Sequence, residues 1–128
     1  MKTSSAQKFR GMVEAGFPSA AEEELLDTMT LEEFLIENKE ATFMLKVKGD
    51  SMIDAGIMEG DMVLVERGKQ PKSGNIVIAR IDGEYTMKYY RKRNGKIFLE
   101  AANKKFKPLF PEQELLVEAI VIAVIRKY

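Results

Sequence analysis

Residues 76–90 read IVIARIDGEYTMKYY, two apolar segments of strand length that flank an Asp-Gly pair. Both residues of an Asp-Gly pair tolerate positive φ, which the tightest β-hairpin turns require. The sequence therefore predicts a hairpin of two antiparallel strands, 76–81 and 85–90, joined at Asp82 and Gly83.

The same pattern continues on both sides of this hairpin. Phe43, Leu45 and Val47 alternate with more polar neighbours, as in a half-buried strand. Asn94 and Gly95 supply a second tight turn. Further short strands are predicted at 62–65, 97–99 and 115–125, and the last is apolar enough to be buried on both faces. The fold class is therefore mostly β, with short antiparallel strands arranged as a sandwich or small barrel.

The first 38 residues have a different character, with sparse apolar residues and many charges. Ser19 with Glu22, and Thr30 with Glu33, have the spacing of helix-capping boxes. Only the second pair precedes a helical apolar stripe, so we predict a short helix over residues 31–38. This gives two regions: a flexible N-terminal arm, 1–38, and a β-domain, 39–128.

The composition excludes several classes of function. Lys plus Arg equals Asp plus Glu at 20 each, which argues against a protein whose main task is to grip nucleic acid backbone. The absence of Cys and His excludes thiol chemistry and argues against a transition-metal site, so no metal or other cofactor is expected. No apolar run approaches the roughly 20 residues of a membrane span, and no signal peptide is evident. We expect a soluble, cytoplasmic protein without membrane contact.

Ser51 and Lys88 are the candidate catalytic pair. Without histidine, a serine nucleophile needs another base, and neutral lysine can serve. Only about one lysine in a thousand is neutral near pH 7.4, but burial lowers the lysine pKa. Gly49 allows a tight turn that could aim backbone N–H groups at a developing oxyanion. In the plainer interpretation, Asp50 caps the following segment and Lys88 points at water.

Three separated motifs resemble the LexA/UmuD family of self-cleaving serine peptidases. Residues 49–61 contain Gly-Asp-Ser-Met followed by two glycines and resemble the nucleophile region of that family. Residues 79–88 resemble its general-base strand, and the spacing between Ser51 and Lys88 is the family's. Residues 16–21, GFPSAA, are similar to the segment after the scissile bond in UmuD in particular.

The resemblance implies a LexA/UmuD-like β-fold and assigns roles to five residues. Ser51 would be the nucleophile, Lys88 its general base, and the peptide between Ala15 and Gly16 the scissile bond. The backbone amides of Asp50 and Ser51 would bind the oxyanion. It also implies a homodimer formed through 115–125, activation by a RecA filament on single-stranded DNA, and a role with a translesion polymerase subunit in the SOS response.

Two alternatives remain open from the sequence. The chain could be the C-terminal self-cleavage domain of a LexA-like or phage repressor, although we expect no sequence-specific DNA binding from residues 1–128 themselves. It could also be a non-catalytic interaction module that retains Ser51 and Lys88 for structural reasons. The basic segment 89–96 is interpreted as a solvated hairpin tip.

Overall fold

The computed structural model of the chain describes Ala15, Gly16 and residues 29–128. Contacts divide the chain into two units, Met1–Glu37 and Asn38–Tyr128, and each is treated by itself. The Ser19–Glu22 capping box and most of the predicted arm lie outside the described residues. None of the described helices is long and apolar enough to cross a membrane.

The first unit contains one described helix, α1, at Leu31–Leu35. The predicted capping box is present: the Thr30 hydroxyl accepts from the Glu33 N–H, and the Glu33 carboxylate accepts from the Thr30 N–H, both at 3.0 Å. The helix ends three residues earlier than predicted, because Ile36 takes an extended conformation. No residue of α1 is buried, so tertiary packing does not support a longer helix.

The second unit is a single six-stranded antiparallel sheet, which confirms the mostly β fold class. Its strands, in the spatial order β1-β2-β6-β3-β4-β5, are β1 Thr42–Lys46, β2 Met62–Glu66, β3 Ile76–Ile81, β4 Glu84–Arg93, β5 Lys96–Glu100 and β6 Leu115–Ile125. Two short 3₁₀ turns accompany them at Lys39–Ala41 and Ile53–Ala55.

Both predicted hairpins form at the predicted residues. Ile81 pairs with Glu84 across the β3–β4 turn, and Arg93 pairs with Lys96 across the β4–β5 turn. The turn residues have positive φ in each case, with Asp82 at 49° and Asn94 at 53°. Successive positive φ values match the right-handed twist of the flanking strands.

Two predicted burial patterns are wrong. β1 ends at Lys46; Phe43 and Leu45, which were expected on its buried face, are exposed, whereas Val47 just beyond the strand is buried. β1 is an edge strand that pairs only with β2. β6 is central, between β2 and β3, yet Leu116 and Val124 are each more than a third exposed. The exposed residues of β6 are those that no other described segment covers, which hydrogen bonding on both edges does not prevent.

The sheet carries buried residues on both faces. One cluster joins Met52 and Ile57 of the β1–β2 connection to Val63, Val65 and other residues of the sheet. A second cluster contains Val77, Ala79, Leu99 and Ile120. Two bulges in β6, where its register shifts against β2 and against β3, let this 11-residue strand bend between the two halves of the sheet. The first cluster supports the loop that carries Ser51.

Candidate active site

Ser51 lies in the connection that follows β1. Val47 is buried and holds the start of this connection, donating its N–H to the Asp61 carbonyl at 2.8 Å and accepting from the Gly60 N–H at 2.9 Å. The chain then reverses at Gly49, whose φ of +92° favours glycine over any residue with a Cβ. Ser51 follows two residues later and is half-buried.

The residues that follow Ser51 are held in place by contacts with the segment after β5. Met52 is 1% exposed and belongs to the core, and its sulfur accepts from the Ala102 N–H at 3.4 Å. The Asp54 N–H donates in turn to the Ala102 carbonyl at 2.7 Å. The β1–β2 connection that carries Ser51, called the serine loop below, is therefore hydrogen-bonded to the segment after β5, which is distant in the sequence.

Asn103 is the closest link between that segment and the serine. It is buried, and its Nδ2 donates to the Asp50 carbonyl oxygen at 2.8 Å, while its Oδ1 accepts from the Lys105 N–H at 3.0 Å. The Lys105 ammonium lies 3.5 Å from the Asp50 carboxylate. The sequence carried no signal for this contact, because residues 50 and 103 share no periodicity or motif. The expectation that Asp50 caps the next segment is wrong, since the following 3₁₀ turn has no side-chain cap.

Lys88 lies within β4, opposite Val77 of β3. It is 9% exposed, so the interpretation that it points at water is wrong. Its ammonium donates to the Thr86 hydroxyl two residues earlier, and no carboxylate in residues 29–128 forms an ion pair with it. Burial lowers the pKa of Lys88 below the ordinary lysine value of 10.5.

Ser51 and Lys88 line the same cavity, which has a volume of about 350 Å³. Its walls come from the end of β1 and the serine loop on one side and from residues 85–88 of β4 on another. The N–H groups of Asp50 and Ser51 make no hydrogen bond within the part of the chain that the structure describes. Ser51, with its hydroxyl and unused N–H, and the poorly solvated Lys88 amine line this cavity, and the unused N–H of Asp50 belongs to the neighbouring residue. These are the groups that acyl transfer requires.

Ala15 and Gly16 are described as an exposed bend in the first unit. Among the described residues, a Cβ placed on Gly16 would meet no atom within 4 Å.

An ion pair between buried Asp61 and exposed Arg126 lies at the other end of the connection that carries Ser51. Arg126 donates from Nε to Asp61 Oδ1 at 2.7 Å and from Nη2 to Oδ2 at 2.8 Å, and it also contacts the Gly56 carbonyl. Together with the Met58 N–H, this guanidinium holds the pKa of Asp61 at about 2. Within the described ranges, no three acidic side chains converge as a metal site would need.

Comparison with known proteins adds one family and a consistent set of relatives. The family described as Peptidase S24-like matches residues 8–125. A LexA repressor of Desulfitobacterium hafniense (strain DSM 10664 / DCB-2) is 42% identical over 116 residues, covering 91% of this chain and 56% of that protein. LexA repressors of Acetivibrio thermocellus and Shewanella piezotolerans are 41% and 35% identical, again over 91% of this chain and over 54% and 57% of theirs. The chain thus spans somewhat more than half the length of the curated relatives it matches.

Proposed function

Since the chain belongs to the Peptidase S24-like family, we propose that it cleaves its own Ala15–Gly16 peptide bond, with Ser51 as the nucleophile and Lys88 as the general base. The observation that carries the proposal is the shared cavity, which both side chains line. The burial of Lys88 away from any described carboxylate supports its role, because a base must be neutral to accept a proton.

The reaction follows from these groups by acyl transfer. Neutral Lys88 accepts the proton of the Ser51 hydroxyl while Oγ bonds to the Ala15 carbonyl carbon. The amides of Asp50 and Ser51 donate to the oxygen that becomes negative. The carbon–nitrogen bond then breaks, and the Lys88 ammonium returns the proton to the departing Gly16 amine. Water, deprotonated by the same lysine, hydrolyses the ester and regenerates Ser51.

The first experiment measures intact mass after incubation at pH 7.5 and pH 10, with Ser51→Ala and Lys88→Ala as matched variants. We expect a product beginning at Gly16 that forms faster at pH 10, where more Lys88 is neutral, and that neither variant produces. Cleavage by Lys88→Ala at the wild-type rate at pH 10 would contradict the assignment of the base. A full-length wild-type chain at both pH values would favour the non-catalytic module, and adding the proposed RecA activator then decides between the two.

We further propose that this self-cleavage serves a LexA-type regulator and is stimulated by a RecA filament on single-stranded DNA. The relatives carry the name LexA repressor, which supports the repressor alternative over the UmuD-type role with a translesion polymerase. Cleavage at pH 7.5 should accelerate with RecA, single-stranded DNA and a slowly hydrolysed ATP analogue together. Acceleration when any one of these is omitted would contradict activation by the filament.

One observation keeps the UmuD-type role as a second candidate: residues 16–21, at the start of the expected product, are similar to the corresponding UmuD segment. The two roles differ in which form is active. In the UmuD-type role, the product beginning at Gly16 should stimulate a translesion polymerase more than uncleaved Ser51→Ala does. Equal effects of the two forms would remove this candidate.

A further inference from the structure

Asn103 holds the peptide group that carries the proposed oxyanion donor. The carbonyl that accepts from Asn103 Nδ2 belongs to Asp50, and the nitrogen of the same peptide group belongs to Ser51. No cis peptide bond occurs in the described residues. In a planar trans peptide the C=O and N–H bonds point in opposite directions, so fixing one fixes the other.

The Asn103 amide is itself held in one orientation. Its Oδ1 accepts from the Lys105 N–H, which leaves Nδ2 as the group that faces Asp50. Asn103 is 8% exposed and follows Ala102, whose N–H donates to the Met52 sulfur and whose carbonyl accepts from the Asp54 N–H. The donor that reaches Asp50 therefore lies in a segment that is hydrogen-bonded to the loop carrying Ser51.

We propose that Asn103 is a positioning residue for self-cleavage: by binding the Asp50 carbonyl, it aims the Ser51 N–H at the oxygen of the scissile carbonyl. This inference rests on the proposed function. In this proposal Asn103 makes no contact with the substrate and acts only by orienting the Asp50–Ser51 peptide group. Without the bond, that peptide can rotate within the glycine-containing loop, and the donor loses its fixed direction.

The test compares Asn103→Asp with wild type. The substitution keeps the shape and the oxygen that accepts from Lys105 N–H but replaces the donor to Asp50 with an acceptor. Loss of a complete oxyanion donor slows acyl transfer by roughly a hundred- to a thousandfold. Because the variant misdirects a donor that is still present, we expect the plateau rate at high pH to fall roughly ten- to a hundredfold. The pH midpoint is read from Asn103→Ala, where it should not move, because that substitution adds no charge near Lys88.

Two further variants separate positioning from a loss of structure. Asn103→Ala removes the same donor without adding a charge and should slow cleavage to a similar extent. Lys105→Ala removes only the exposed contact with the Asp50 carboxylate, and its rate should stay within about twofold of wild type. All rates are compared where circular dichroism shows each variant fully folded. Wild-type cleavage by both Asn103 variants would overturn the proposal.

A readout independent of cleavage keeps this inference distinct from the proposed function. In a Ser51→Ala background, which keeps the chain intact, the NMR resonances of the Asp50 carbonyl carbon and the residue 51 amide report the hydrogen bond directly. Asn103→Asp should shift both, and unchanged resonances would overturn the inference. If wild type fails to cleave even with activator while these resonances shift, the proposed function fails and the role of Asn103 in holding the peptide survives.

Discussion

The burial of Lys88 destabilises the fold while the lysine is charged, but it also favours the neutral form that a general base requires. Burial without a carboxylate partner disfavours its charged form and lowers its pKa. The folded chain therefore binds fewer protons than the unfolded chain between the folded-state pKa and 10.5, and stability rises with pH across that window. Below the window, the buried ammonium exerts its full destabilising effect.

Replacing Lys88 with methionine should accordingly stabilise the fold while removing activity. General-base catalysis contributes about a hundred- to ten-thousandfold, so the cleavage rate at pH 10 should fall by at least about a hundredfold. The urea midpoint, compared in a Ser51→Ala background, should rise at pH 7, and the gain should shrink as pH approaches 10.5.

Lys92→Met is the matched control, because Lys92 also lies on β4 but is exposed. It should change neither the rate nor the pH dependence of stability. A lower urea midpoint for Lys88→Met at pH 7 would mean that the ammonium stabilises the fold, contrary to its environment.

Asp61 gives a pH dependence of the same sign but in the acid range, and here the charged form stabilises the fold. Its pKa is held at about 2 by Arg126 and the Met58 N–H, below the unfolded value of about 3.9. Its contribution to stability is therefore complete above about pH 4 and is lost as pH falls through 2. Asp61→Asn should lower the urea midpoint at pH 7 and match wild type near pH 2. The exposed Asp54→Asn serves as the control, and a pH-independent difference for Asp61→Asn would contradict the ion pair as its cause.

At the scale of residues, the sequence predicted those reactive residues that occur in recognisable local motifs. Ser51 and Lys88 were predicted from local motifs, and the structure places both on one cavity. Asn103 and the Lys88–Thr86 hydrogen bond were not predicted, because the first depends on a contact between distant loops and the second on side-chain orientation. Reactive groups thus follow from residue type, whereas the residues that hold them depend on tertiary structure.

At the scale of elements, strand positions followed from periodicity and turn residues. β3 and β6 have the predicted bounds, and both hairpin turns occur at the predicted pairs. The order of the strands did not follow, because sequential neighbours such as β2 and β3 are separated by β6. The errors in burial at β1 and β6 have a related cause, because the segments that cover each face of the sheet are distant in sequence and no local pattern encodes them. β6 is hydrogen-bonded on both edges, so the proposed dimer would have to use exposed side chains such as Leu116 and Val124 rather than edge pairing.

The β4–β5 turn allows the effect of one turn residue on the free energy of unfolding to be measured separately. Gly95 has φ of +78°, and a Cβ there would meet no atom within 4 Å, so substitution adds backbone strain without a clash. Gly95→Ala should lower the free energy of unfolding by about 1–2 kcal/mol, measured by urea denaturation in a Ser51→Ala background. Asn94→Gly, at a neighbouring position of positive φ, should change it by less than about 0.5 kcal/mol. Equal effects of the two substitutions would show that the turn conformation is not the cause.

At the scale of the whole molecule, the proposed substrate is a segment of the same chain. About 35 residues separate Ala15 from Ser51, and those from Thr42 onward belong to β1 and the loop that carries Ser51, so residues 16–41 span at most roughly 90 Å when extended. Covalent connection makes binding of this peptide intramolecular, with an effective concentration that linker length and stiffness determine. The cavity therefore does not need high affinity for the peptide, and binding energy can be directed to the transition state.

Self-cleavage should consequently be first order, with a rate constant independent of protein concentration from about 1 to 100 μM, because the tethered peptide outcompetes peptides on other chains. The measurement is the rate at pH 10 across a dilution series, together with a mixture of Ser51→Ala chains, as substrate, and wild-type chains. Little cleavage of the Ser51→Ala substrate is expected. A rate constant that rises in proportion to concentration, with efficient cleavage of Ser51→Ala by wild type, would instead require that one chain cuts another. If the rate constant is independent of concentration but wild-type chains cleave Ser51→Ala chains within preformed mixed dimers, one subunit cuts the peptide of its partner. This result would contradict cleavage of each chain by its own active site.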